Sequence, residues 1–119
     1  MASPVAGVPA RSFRSGEVIF RQGDGAGTEA YLVHRGRVEV SRTIAGEERV
    51  LGILGIGELL GEVALFRQGP HSATAVALED VLVLVISADR LEHIVRMNPE
   101  LAIAIIRQLA RMAARESES

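Results

Sequence analysis

Glycine punctuation is what most constrains this chain. Between Ser12 and Ser87 glycines recur at short intervals and separate short segments rich in Val, Ile, Leu and Tyr. Glycine reaches left-handed backbone conformations at little cost and branched apolar residues favour extended chain, so the pattern predicts short strands joined by tight turns. Tyr31 to His34, Arg35-Gly36 and Arg37 to Ser41 read as a hairpin, with Val38 and Val40 inward and Arg37, Glu39 and Ser41 in solvent. A second hairpin is predicted at Ala45-Gly46, with Arg49 to Leu54 returning toward Gly55-Ile56-Gly57. Ser72 to Ala77 and Val81 to Ser87 form a third pair through Leu78-Glu79-Asp80. Its second member is apolar throughout, which predicts a strand covered on both faces.

After Ser87 the period becomes helical. Ser87 or Asp89 can cap a short helix from Arg90 to Met97, and Asn98-Pro99-Glu100 restarts a helix running to about Arg115. Its apolar stripe (Leu101, Ile105, Leu109 and neighbours) is wide, and Arg107, Arg111 and Arg115 recur along another line. Such a helix docks on its own β domain or pairs with a second copy or an effector protein. The expected fold is therefore mainly β with flanking helices: an eight-stranded antiparallel β roll, jelly-roll-like, over about residues 12–88, then two C-terminal helices over about 89–115. Residues 1–11 read as a flexible leader.

With 119 residues, 48% hydrophobic, there is material for one domain with a real core. All 13 basic residues are arginine, so a P-loop lysine and a Schiff base are excluded. There is no cysteine, and His34, His71 and His93 are scattered with no H-x-H pair, so neither a metal site nor a catalytic set is expected. The chain is expected not to be an enzyme and to need no cofactor. A net charge of -2 gives no general attraction to nucleic acid, and no segment follows the last helix that could enter a major groove, so no nucleic acid is expected for this chain alone. The longest apolar runs, Val81 to Ile86 and Leu101 to Ile106, are too short for a membrane span, and the first ten residues lack the pattern of a secretory signal. A cytoplasmic location is the expectation.

The segment from Gly57 to Ala77 carries the chemistry. Gly61-Glu62 precedes a short apolar turn, Val63-Ala64-Leu65-Phe66, then a Gly69-Pro70 bend and small hydroxylated residues. A helical turn starting at Val63 would leave backbone N–H groups free for an anion, with Gly61 and Ala64 allowing close approach. Glu62 could accept hydrogen bonds from neutral hydroxyls beside that anion. An anion next to a vicinal hydroxyl describes a sugar phosphate, although Gly-Glu before an apolar turn is also ordinary loop chemistry.

Three motifs in order carry a resemblance. Ser15 to Asp24 (S-G-E-V-I-F-R-Q-G-D), Tyr31 to Val40 (Y-L-V-H-R-G-R-V-E-V) and Leu54 to Leu65 (L-G-I-G-E-L-L-G-E-V-A-L) are similar to the first strand, a following hairpin and the phosphate-binding cassette of cyclic nucleotide-binding domains, as found in catabolite-activator-type regulators, cyclic-nucleotide-dependent kinases and gated channels. The resemblance implies a β roll holding cAMP, cGMP or a related ligand. It gives Glu62 the ribose 2'-hydroxyl and gives Gly61, Val63, Ala64 and Leu65 the neighbourhood of the cyclic phosphate. Where the family has Pro-Arg this chain has Pro70-His71, so the guanidinium that faces the phosphate is missing there. His71 would then be a weaker, pH-dependent ligand that tightens binding as pH falls from 8 to 6, or a tolerated replacement in a domain that binds no nucleotide. Ser72 and Ala73 follow it, and Ser72 could donate to the phosphate or a guanine edge. Leu51, Leu54 and Leu60 would line the base and sugar pocket or simply be core. Arg107 or Arg111 would cap the base from the last helix or form a solvated stripe. The implied function is a sensor that moves its C-terminal helices on binding; the rival is a nucleotide-free interaction or dimerisation scaffold.

Overall fold

The structure is a computed structural model that describes residues 3–25, 27–62 and 69–118. Eight strands are present among the described residues, and they are best understood as four bent ribbons. β1 (Ala10–Phe13) continues into β2 (Val18–Phe20), β3 (Glu29–Arg35) into β4 (Val38–Ile44), β5 (Glu47–Leu54) into β6 (Leu59–Leu60), and β7 (Thr74–Ala77) into β8 (Val81–Ser87). In each ribbon the first half lies in one sheet and the second in the other. The sheet orders are β1-β8-β3-β6 and β2-β7-β4-β5, so the ribbon sequence is the same in both. Every pairing is antiparallel. This is the expected β roll.

Two of the three expected hairpins are corners instead. β3 and β4 do not pair with each other, and neither do β7 and β8; β3 pairs with β8 and β4 with β7, so both bent ribbons lie side by side around one corner. Leu78 N–H donates to the Arg37 carbonyl across it at 3.0 Å. Gly36 sits at its tightest point with φ +92°, where an added Cβ would stand 2.5 Å from the Asp80 carbonyl oxygen and 2.9 Å from Val81 Cγ2. Glycine and alternating apolar residues mark a corner and a hairpin alike, which is why the local pattern did not separate them. The Ala45-Gly46 hairpin is as expected: Ile44 faces Glu47, and both loop residues have positive φ, the sign of the primed two-residue turns that match strand twist. Ser41, expected in solvent, is buried where β4 runs between β5 and β7.

Two layers of core explain the apolar β8. Val81 and Val83 pack with Val33, Val38, Leu60, Ala75 and Ala77 between the sheets, whereas Leu84 and Ile86 pack on the opposite face with Ala30, Leu32 and the helices. After a 3-10 turn at Ala88–Arg90, α1 (Leu91–Met97) and α2 (Pro99–Glu118) bury Ile94, Leu101 and Ile105 against that second face. Each such side chain contributes about 1.5–3 kcal/mol, enough to dock α2 on its own β domain. Neither Ser87 nor Asp89 caps α1 through its side chain, because the 3-10 turn intervenes and Arg90 occupies the N-cap. Asn98 instead links the helices: its side-chain amide donates to the Ile94 carbonyl at 3.1 Å, and its own carbonyl accepts from Ala102 N–H at 3.1 Å. The second half of the expected leader is structured. Val8 is buried in the helix-side core, and the Pro9 carbonyl accepts from Val85 N–H, so the ordered sheet begins at Ala10. No helix among the described residues is long and apolar enough to cross a membrane.

Gly36 and Gly46 separate backbone strain from collision. Both have positive φ, but a Cβ at Gly46 meets nothing within 4 Å. Gly46→Ala should cost about 1–2 kcal/mol, and Gly36→Ala about 2–5 kcal/mol because the corner must also open. Urea denaturation of the two variants side by side measures the difference; equal midpoints would show that the corner is not closed by this contact.

Candidate functional site

The cleft opens where the two sheets converge at the end of β6. Gly61, Glu62, His71, Ser72 and Ala73 meet on its wall, and Leu51, Leu54 and Leu60 line it as well. Phe20, Val40, Arg42 and Leu59 complete it. Val63, Ala64 and Leu65 lie outside the described residues. Arg107 and Arg111 are exposed on α2 and do not line the cleft. In this structure α2 docks on the sheet face that carries Leu84 and Ile86.

Backbone bonds fix the segment that enters β7. Gly23 N–H donates to the His71 carbonyl at 2.9 Å, and His71 N–H donates to the Asp24 carbonyl at 2.8 Å. Gln22 N–H donates to Thr74 Oγ1 at 2.9 Å, so the turn after β2 clamps residues 71–74. From the other side the Arg42 Nε–H donates to the Ser72 carbonyl at 2.8 Å. Gly61, with φ +70°, brings its backbone against the His71 and Phe20 rings, where a Cβ would stand 3.4 Å from each.

His71 is the largest departure from the expected site chemistry. Its side chain lines the cleft but is buried to 6% exposure, stacked on Phe20 with ring centroids 3.9 Å apart and planes 9° from parallel. Burial pushes its pKa below the usual 6.5, against the opposing pull of the Asp24 and Glu62 carboxylates. Burial thus favours the neutral ring over the charged one, so His71 is a poorer counter-charge for a phosphate than an arginine would be. Arg42 was not singled out, yet the strand period contained the signal: with Val38 and Val40 inward, Arg42 falls on the same face. Phe20 has no comparable local signal. Among the described residues no three His, Asp or Glu side chains converge as a metal site would require.

The stacked, buried His71 gives a pH dependence of stability. The unfolded chain protonates this histidine near 6.5 and the folded chain only at lower pH, so the contribution is complete above about pH 6.5 and is lost as pH falls through the folded value. His71→Phe keeps the stack without the proton. Wild type should lose thermal stability relative to this variant between pH 7.5 and pH 5; a constant difference in Tm would show an unperturbed ring.

Comparison with known proteins agrees with this geometry. The family model of the cyclic nucleotide-binding domain matches residues 10–98. The cyclic AMP receptor protein of Thermus thermophilus is 41% identical over 102 residues, covering 85% of this chain and 47% of that protein. The crystal structure of the Thermus thermophilus catabolite activator protein superposes with a TM-score of 0.76 at 39% identity, covering 93% of this chain and 52% of that one. The regulatory domain of Toxoplasma gondii PKA, crystallised with cAMP, reaches a TM-score of 0.66 at 29% identity over 73% of this chain and 33% of that one. The chain spans about half the length of the first curated relatives it matches. A roll of four bent ribbons, a cleft where the glycine-glutamate segment meets the entry to β7, and a match over most of the chain together make this protein a member of the cyclic nucleotide-binding domain family.

Proposed function

We propose that this domain binds a cyclic nucleotide, cAMP or cGMP, in the cleft between Gly61 and Ser72 and acts as a regulatory sensor rather than a catalyst. The observation that carries the reading is the meeting of Gly61, Glu62, Ser72 and Ala73 with Leu51 and Leu54 in one cleft, although Leu51 and Ser72 stand far apart in sequence. Glu62 accepts the ribose 2'-hydroxyl, the Gly61 backbone faces the cyclic phosphate, and the leucines cover sugar and base. The relatives named for cyclic AMP support this assignment.

A path to the helices is built into β6. Leu59 lines the cleft and also belongs to the core cluster that holds Ile94, Leu101 and Ile105. A ligand that shifts Leu59 would disturb the cluster into which α1 and α2 pack, which is the differential contact that ligand-dependent helix movement needs. Ile103 and Ile106 remain exposed on α2 and offer a surface that a second copy or an effector could read.

Calorimetric titration with cAMP and cGMP tests the reading. Glu62→Ala should weaken binding about 10- to 150-fold, the worth of a hydrogen bond to a charged group. A 2'-deoxy ligand should lose as much in wild type and nothing further in the variant. Failure of wild type to bind either nucleotide would move the function to a nucleotide-free scaffold. Coupling predicts that saturating ligand changes amide exchange in residues 100–115 and that Leu59→Ala reduces the change; unaltered exchange there would leave a binding module without transmission.

A further inference from the structure

An anion held in this cleft is bound more tightly where its walls supply a counter-charge. Two lining residues are permanently or ordinarily charged at neutral pH, Glu62 and Arg42, and His71 is buried in a ring stack. We propose that Arg42, from the middle of β4, supplies the positive charge that faces the ligand's anionic phosphate, in place of the residue at position 71. The inference rests on the cyclic nucleotide reading above.

Two independent observations support it. The Arg42 Nε–H is spent on the Ser72 carbonyl, which anchors the guanidinium beside the segment entering β7. Its terminal nitrogens make no hydrogen bond or ion pair among the described residues, so the donors that suit a phosphate oxygen remain available. The second observation is the sheet register. Arg42 stands directly opposite Arg49 on β5, so two guanidinium groups share one face of the ladder. Like charges so placed repel, and Glu47 approaches Arg49 alone, at 3.8 Å. An anion bound beside Arg42 relieves that repulsion, which makes this part of β4 a more favourable site for negative charge than a single arginine would.

The experiment is titration of the whole chain with cAMP and cGMP at pH 6, 7 and 8, for wild type, Arg42→Gln, Arg42→Lys and Arg42→Gln combined with His71→Arg. Arg42→Gln should weaken binding about 10- to 150-fold, Arg42→Lys should lose less, and the double variant should recover affinity because the charge returns from a different position. Wild-type affinity should be flat between pH 6 and 8, since guanidinium does not titrate there, whereas a phosphate held by the His71 imidazolium, which Asp24 and Glu62 also face, would bind more tightly as pH falls. Unchanged binding in Arg42→Gln overturns the proposal and leaves the nucleotide reading standing. Wild-type affinity that falls steeply with rising pH returns the role to His71. A loss that His71→Arg fails to restore in the folded double variant makes Arg42 a brace for Ser72, which also overturns the proposal. No binding by wild type at any pH overturns both.

Discussion

The corner shared by the second and fourth ribbons is the constraint on which the remaining structure depends. Gly36 allows the chain to pass within contact of the Asp80 carbonyl, and from that point β3 pairs with β8 while β4 pairs with β7. If the corner opened, both central pairings would lose register together. The outer ribbons follow from it: β1 and β2 add on one side, β5 and β6 on the other. Bending all four ribbons gives β8 two buried faces, one toward the roll interior and one toward the helices. The helices thus dock on a surface that the bend itself creates.

The cleft is a second product of the same bending. Residues 59–62 continue the third ribbon and residues 71–74 begin the fourth, and the turn after β2 clamps the latter through Gln22, Gly23 and Asp24. The parallel stack of Phe20 on His71 fills the space beneath Gly61. Packing and electrostatics pull His71 in one direction here. A ring that contributes dispersion and burial to a stack resists protonation, so the group that forms the floor of the cleft is poorly suited to be its cation. The Arg42 guanidinium, which lines the cleft and is held by the Ser72 carbonyl, has no such conflict.

Leu59 connects the two regions. It is part of the helix-side core and of the cleft wall, while its neighbour Leu60 faces the roll interior and the same cleft. Alternate residues of a two-residue strand therefore report on both layers of core.

Strand-rich character, the Ala45-Gly46 turn, the apolar β8, the change to helical period near Ser87 and the family resemblance of the glycine-glutamate segment were all legible in the sequence, because each is written in contiguous residues whose backbone preferences act locally. The amphipathic stripe of α2 likewise announced a buried face through Leu101 and Ile105. Which strands pair was not legible: Gly36 and the Leu78-Glu79-Asp80 link looked like hairpin turns, and only their mutual contact made them corners between sheets. The burial of Val8, the lowered pKa of His71 and the arrival of Arg42 beside Ser72 belong to the same class. Each depends on a partner from a distant segment, and desolvation, stacking and cross-strand register exist only once the bent ribbons have closed. The sequence by itself determined the elements and the identity of the cassette; the tertiary structure decided which side chains share the cleft and which of them can hold charge there.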